Sequence, residues 1–304
     1  MSAVIHIGAN KTASTTLQRC LFARHPDLHY VGEDGEGYQD YYPVMADLLW
    51  SDEIFWNERK ARAFFSEQLK RAAGKTFVFS SEDIMMSPIA SSCGRRLRAL
   101  ICNADILIII RNQLQALASF YASHGAFLSP APKTHYKRYV PMEYWLEYHD
   151  NITKYGPFES FDYWNFSMFF EGLFGENKVK ILMFEDFVQK REKFYEELAQ
   201  ILGLKSVDMP RYLNGAHERK RHTWRTHQYT KFRSSFLWNR SLTGVVPGGV
   251  HLRRRLQQFM ENGAPISVEL PLSWQHRLAE RYAEGNVKLA KKFGLPLAEY
   301  NYPM

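Results

Sequence analysis

Lys11, Thr12, Ser14, Thr15 and Thr16 crowd into six residues just after an apolar run, Val4-Ile5-His6-Ile7-Gly8. One ammonium and four hydroxyls in a short loop suit an oxyanion, and a phosphate above all. Backbone N–H groups of the loop and of a following helix face the anion, the lysine adds charge and the hydroxyls donate hydrogen bonds. Arg111 is the second candidate, with Ser119 eight residues on, two turns along a helix. A guanidinium and a nearby hydroxyl suit a dianionic phosphate. Glu82, His124 and His6 are the groups that could take a proton from an acceptor hydroxyl. Each has a plainer reading: a first-turn acid favoured by the helix dipole, a structural helix histidine and a core residue of the first strand.

The elements that must position these residues can be read from hydrophobic period. The first strand runs into the loop at Gly8, and a helix follows from Thr15 to Ala23, stopping near His25-Pro26. Thr76-Phe77-Val78-Phe79-Ser80 is expected as a second strand, leading to Ser81-Glu82. The continuous apolar run Ala104–Ile110 reads as a buried parallel strand, ending at Arg111. Val179–Phe184 is expected as a fourth. Helices are expected over Arg59–Ala73, Met142–Thr153, Trp164–Phe174, Phe194–Leu202 and Trp274–Phe293. Strands alternating with helices predict an α/β fold, a three-layer, doubly wound parallel sheet in one domain over residues 1–304. Ligands then bind at the carboxyl ends of the strands, where Gly8–Thr16, Ser80–Glu82 and Arg111 all fall.

The loop is not a nucleoside-triphosphate Walker loop. Lys11 comes three residues after Gly8, no second glycine precedes it, and the hydroxyls follow the lysine. The order His-Ile-Gly-x-x-Lys-Thr-(small)-Ser/Thr-Thr-x-Leu-Gln resembles the 5′-phosphosulfate loop of sulfotransferases that use 3′-phosphoadenosine 5′-phosphosulfate. Ala13 stands where that family usually has glycine, and Ser14 where it often has threonine. A positive φ at Ala13 would be unfavourable. The strand–Arg111–helix–Ser119 spacing, with Ser119-Phe120-Tyr121, is similar to the family's 3′-phosphate motif. Phe174-Gly175-Glu176-Asn177-Lys178-Val179 through Asp186 also resembles a structural segment of the family.

The resemblance implies a nucleotide-kinase-like, P-loop-related fold and a sulfuryl donor, 3′-phosphoadenosine 5′-phosphosulfate, with no metal. It implies that Lys11, Thr12, Ala13, Ser14, Thr15 and Thr16 hold the 5′-phosphate end, and that Arg111 and Ser119 hold the 3′-phosphate. Lys11, Glu82 and His124 are the implied catalytic groups, because carbohydrate-directed members place a glutamate at the end of the strand that Thr76–Ser80 matches. The implied acceptor is a hydroxyl on a glycan or glycolipid. The aromatic stretches Tyr38–Trp56 and Tyr136–Tyr148 could stack on sugar rings or serve as core. The basic run Asn214–Arg225 could close over the nucleotide or be a solvated charge run.

A net charge of +7 suits a polyanionic nucleotide, and equally a nucleic acid or an acidic glycan, so charge alone does not choose. Three scattered cysteines, Cys20, Cys93 and Cys102, offer no zinc or disulfide spacing and suit a reducing compartment. The first strand begins at residue 4, leaving no room for a leader ahead of it, and no apolar run could span a bilayer. The expectation is a cytoplasmic, bacterial enzyme that binds no nucleic acid; nothing in the sequence sets its oligomeric state. The alternatives are a small-molecule kinase, which would need a Walker loop and a magnesium-holding acid, and a basic nucleic-acid-binding protein.

Overall fold

In the computed structural model the structure describes residues 2–33, 35–125, 135, 139–151, 156–214, 223–236, 255, 259–260, 262, 264 and 268–304. Five strands form one parallel sheet: β1 (Ala3–His6), β2 (Leu28–Gly32), β3 (Thr76–Ser80), β4 (Asp105–Ile110) and β5 (Val179–Met183). Their order is β2-β3-β1-β4-β5, every neighbouring pair parallel. The expected α/β class is therefore correct, with one strand more than the four read from sequence. The missed strand, β2, lies at the sheet edge with His29 and Tyr30 half-exposed. A five-residue edge strand carrying polar groups lacks the unbroken apolar run that marks β4.

Alternation along the strands splits the core between the two faces. Val4, Val78, Leu107, Ile109 and Leu182 pack with Leu17, Leu21, Phe22, Phe194, Leu198 and Leu202 on one face. The intervening Ile5, Phe77, Phe79, Ile106, Ile108 and Ile110 are equally buried. The helices match expectation to within two or three residues: Glu58–Arg71, Met142–Asn151, Tyr163–Phe174, Arg191–Leu202 and Leu272–Phe293. Gly175 and Gly203 stop two of them with positive φ of 113° and 68°. The aromatic stretch after Tyr38 is a helix, Tyr38–Trp50, that buries Tyr41, Val44, Met45, Leu48 and Leu49. Among the described residues no helix is long and apolar enough to cross a membrane.

The chain divides into two compact units. The first, Met1–Gln113 with Tyr155–Glu218 and Ala279–Met304, holds the whole sheet. The second comprises Leu114–Lys154 and Arg219–Leu278. In it the Tyr121 hydroxyl donates to the Val140 carbonyl at 2.7 Å, and the Trp145 ring packs edge-on against Tyr121 and His149. Burial lowers the His149 pKa to about 4. Most of the basic runs around Pro130–Pro141, Asn214–Arg225 and Arg253–Arg255 lies outside the described residues.

In the first unit the chain's last residues fasten the carboxyl end of β4. The buried Glu185 carboxylate accepts from the Asn112 N–H at 2.9 Å and from the Tyr302 hydroxyl at 2.9 Å. The Asn112 side-chain amide donates to the carbonyls of Tyr300 and Asn301, and Gln113 exchanges hydrogen bonds with Asn286. A carboxyl group this deep requires each donor it has. Tyr302→Phe is therefore expected to cost about 1–3 kcal/mol. The shift of the urea midpoint at unchanged m-value measures it, and a cost below a few tenths would show that Glu185 does not need the hydroxyl.

Candidate functional site

The loop after β1 leaves the sheet from a strand held on both sides. Beyond His6 the ladder continues: Ile7 N–H donates to the Leu107 carbonyl at 3.0 Å, and Ala9 N–H to Ile109 at 3.4 Å. On the other side Ser81 N–H donates to the His6 carbonyl at 3.1 Å. The chain then turns through two left-handed residues, Lys11 (φ 71°) and Ala13 (φ 66°). Among the described residues only two other non-glycines have positive φ, Asn177 and Asn301. Asparagine tolerates that region; lysine and alanine do so at a cost of about 1–2 kcal/mol each. Strain of this kind persists where the surroundings impose it, and it gathers at ligand sites.

The helix that follows begins at Ser14, continues from Leu17 to Phe22 as a π-helix and has Ala13 at its cap. No side chain caps it. The amide N–H groups of its first turn lack intrahelical acceptors and carry the positive end of the helix dipole. The Thr12 hydroxyl is spent inside the turn, donating to the Ala9 carbonyl at 2.5 Å and lying 3.4 Å from the Ser14 hydroxyl. Ser14 and Thr16 are buried, whereas Lys11, Ala13 and Thr15 are half-exposed.

Beneath the loop is a polar triad that sequence reasoning did not assemble. His6 Nδ1 lies 2.8 Å from the Ser80 hydroxyl oxygen, which also accepts from the Gln18 amide at 3.0 Å. All three residues are buried. His6 Nε2 has no partner among the described residues, and burial lowers its pKa to about 3, so the ring is neutral near pH 7. It fills the space beside Gly8, where a Cβ would lie 2.5 Å from Nε2. Glycine is therefore required at 8 by close approach to this ring. The signal available in the sequence was the pairing of a strand histidine with a serine on the neighbouring strand, which becomes visible only once His6 and Ser80 are in register.

Arg111 follows β4 and reaches the loop: its Nη1 donates to the Lys11 carbonyl at 3.2 Å. The guanidinium lies over the Phe184 ring, 4.7 Å from its centre. Its backbone is clamped by the buried Tyr163 hydroxyl, which donates to the Arg111 carbonyl at 2.8 Å and accepts from its N–H at 3.3 Å. The chain leaves β1 toward β2 and leaves β4 toward β5, so these two strands flank the reversal in strand order, the usual ligand crevice of an open α/β sheet. Glu82 opens a short 3-10 helix, Glu82–Met86, two residues beyond β3, and is half-exposed. Lys11, Glu82 and Arg111 thus stand at the same ends of three adjacent strands. Ser119 belongs to the second unit, half-exposed on helix Gln113–Phe120. His124 falls in the π-helical turn Tyr121–Gly125, and its side chain lies outside the described residues.

Two consequences can be measured. Ala13→Gly removes the left-handed penalty but frees the unfolded chain by about 0.5–1 kcal/mol, so stability is expected to change by no more than about 1 kcal/mol. Ala13→Val is expected to lose more than about 1 kcal/mol by the same denaturation assay, because a β-branched residue resists this φ. The second consequence concerns His6, whose folded pKa is below the ordinary 6.5. Between about pH 6.5 and 3 the unfolded chain holds a proton that the folded one excludes. The stabilisation is complete above 6.5 and falls as pH drops, by about 1.4 kcal/mol per unit from this group. His6→Asn is expected to flatten the pH dependence of the urea midpoint between pH 6 and 4 by about that slope, leaving the share of His149.

No family model matches the chain. No curated protein matches it in sequence. Among solved structures it is similar to a sulfotransferase from Alicyclobacillus acidocaldarius, at 13% identity and a TM-score of 0.50, over 99% of this chain and 98% of that one. The sulfotransferase domain from the curacin biosynthetic pathway matches at 15% identity and a TM-score of 0.45, over 67% and 75%. Mouse sulfotransferase SULT7A1 complexed with PAP matches at 12% identity and 0.41, over 92% and 88%. With its five parallel strands in the order 2-3-1-4-5, the chain has the sulfotransferase fold.

Proposed function

We propose that the protein moves a sulfuryl group from 3′-phosphoadenosine 5′-phosphosulfate to an acceptor hydroxyl. The observation that carries this reading is the loop: an uncapped helix start behind two left-handed non-glycine residues, with the Arg111 guanidinium hydrogen-bonded to the Lys11 carbonyl. The fold and the lysine-first order of the loop support the same donor. A kinase would require the Walker order that Lys11 breaks.

The acceptor oxygen attacks sulfur in line while the bridging oxygen of the nucleotide leaves. Little covalent work falls to the protein, and positioning and charge stabilisation dominate. Lys11 neutralises charge on the sulfuryl oxygens and on the departing phosphate. The N–H groups of Ala13 to Thr16, with the hydroxyls of Ser14, Thr15 and Thr16, hold the 5′-phosphate, while Thr12 shapes the turn. Arg111 binds the 3′-phosphate; the assignment of Ser119 rests on its sequence spacing. Glu82 takes the acceptor proton, with His124 as the rival base. The acceptor is a hydroxyl on a glycan or glycolipid, and the reaction uses no metal.

The deciding experiment offers labelled donor to extracted glycans and lipids. Transfer to a sugar hydroxyl is expected. Tight retention of adenosine 3′,5′-bisphosphate without response to ATP–magnesium separates this reading from a kinase. Steep salt-dependent binding to RNA or DNA without transfer would favour a nucleic-acid protein. Lys11→Ala is expected to lower kcat by about 10²–10³-fold. Arg111→Ala is expected to raise the donor KM by about ten- to a hundredfold, the worth of a charge-assisted hydrogen bond. Glu82→Gln is expected to lower kcat by about 10²–10⁴-fold with donor affinity unchanged. Transfer that survives both Lys11→Ala and Arg111→Ala would refute the site assignment.

A further inference from the structure

A second arginine in the first unit is built like a binding group and is not used by the site above. Arg96, on helix Ala90–Leu100, has a side chain only 4% exposed. Its Nη1 donates to the carbonyls of Leu48 at 3.1 Å and Asp47 at 3.4 Å, in the last turn of helix Tyr38–Trp50. Its guanidinium lies over the Trp56 ring, 4.5 Å from the centre. Nε and Nη2 are buried and have no hydrogen-bond partner among the described residues.

Nε and Nη2 form the side-on edge of a guanidinium, two parallel N–H groups matched to the two oxygens of a carboxylate or phosphate. Glu53 Oε1 stands 3.3 Å from Nη2 as an ion pair, without hydrogen-bond alignment, and the Glu53 side chain is 58% exposed. It is a partial acceptor that can swing into solvent. Beside this arginine is a cavity of about 340 Å³, lined by Trp56, Arg95, Arg96, Ala99 and Leu100, with Glu53 and Glu58. Buried charged N–H groups without acceptors cost free energy, and an oxyanion from outside would remove that cost.

We propose that this cavity binds a small monocarboxylate with an aromatic or branched aliphatic body. Arg96 takes both carboxylate oxygens side-on, displacing Glu53, and Ala99, Leu100 and the Trp56 edge receive the body. Glu58 is ion-paired to Arg62 at 2.6 Å, so the displaced Glu53 is the carboxylate that repels a dianion, which sets carboxylate above phosphate or sulfate. The volume matches the lower end of small-ligand pockets, at about 300 Å³. The proposal is independent of sulfuryl transfer.

The test titrates the full chain with benzoate and isovalerate by calorimetry and by the NMR signals of the Trp56 indole and Arg96 Nε–H. Saturable binding at about 1 mM or tighter is expected, with shifts confined to those signals and their neighbours. Phosphate and sulfate are expected to bind at least about tenfold more weakly. Glu53→Gln should tighten benzoate binding, and Arg96→Lys, which keeps the charge but loses the fork, should weaken it at least about tenfold. Because Arg96 also holds the Leu48 carbonyl, Ala99→Trp provides a second variant: it fills the cavity mouth from an exposed position and should abolish binding at an unchanged melting temperature. No saturation by about 10 mM, equal binding of phosphate, or benzoate binding that survives Ala99→Trp overturns the proposal.

Discussion

Everything at the candidate site hangs on β1 being hydrogen-bonded to both neighbours past its own end. Ile7 and Ala9 donate to β4, and the His6 carbonyl accepts from Ser81 just beyond β3. The loop therefore springs from a fixed point, and its first residues cannot relax away from the sheet. That rigidity is what allows Lys11 and Ala13 to sit in a left-handed conformation that an unconstrained chain would leave. The hydrogen bond of Thr12 to Ala9 and the packing of Leu17, Leu21 and Phe22 into the core close the turn from the other end. Burial of those three large side chains supplies about 1.5–3 kcal/mol each, enough to offset two strained residues.

Charge at the site follows from burial as much as from composition. His6 lies under the loop as a neutral ring, so among the described residues of the site the positive charge comes from Lys11, Arg111 and the first-turn N–H groups. A protonated imidazole there would add a third charge in a buried position. Left neutral, the ring is a compact support, packed edge-on against Phe22 at 5.6 Å. Ser80 fixes the orientation of the ring through Nδ1, and its hydroxyl is itself held by the Gln18 amide.

The sequence carried the parts of the fold that bury continuous apolar runs, and the parts of the site that follow them in chain order. Ile106–Ile110 announced its own strand, and Arg111 its position, because a fully buried parallel strand must end where the first charged residue appears. Leu28–Gly32 was hidden because an edge strand needs only one covered face, so His29 and Tyr30 break the run. The positive φ at Ala13 could be anticipated from the glycine usual at that place; that at Lys11 could not, since nothing about lysine signals it. The His6–Ser80–Gln18 contacts join residues up to 74 positions apart, and no local period reports them. The clamp of Tyr300–Tyr302 on Glu185, Asp186 and Asn112 was invisible for the same reason.

Arg111 and Arg96 show one construction used twice. Each guanidinium lies over an aromatic ring, Phe184 at 4.7 Å and Trp56 at 4.5 Å, and each sends Nη1 to a main-chain carbonyl. The ring removes one face from water without removing the charge, and the carbonyl fixes rotation about the guanidinium plane. A lysine can also stand over a ring, as Lys190 does over Tyr300, but its ammonium has no plane to lay on it and no second edge to orient. The two differ in what the carbonyl belongs to. Arg111 holds a strained loop and thereby couples its own position to that of Lys11, whereas Arg96 holds a helix end beside a cavity. In both, the structural hydrogen bond is what makes the remaining donors directional, so the same contact that stabilises the fold also orients the rest of the guanidinium.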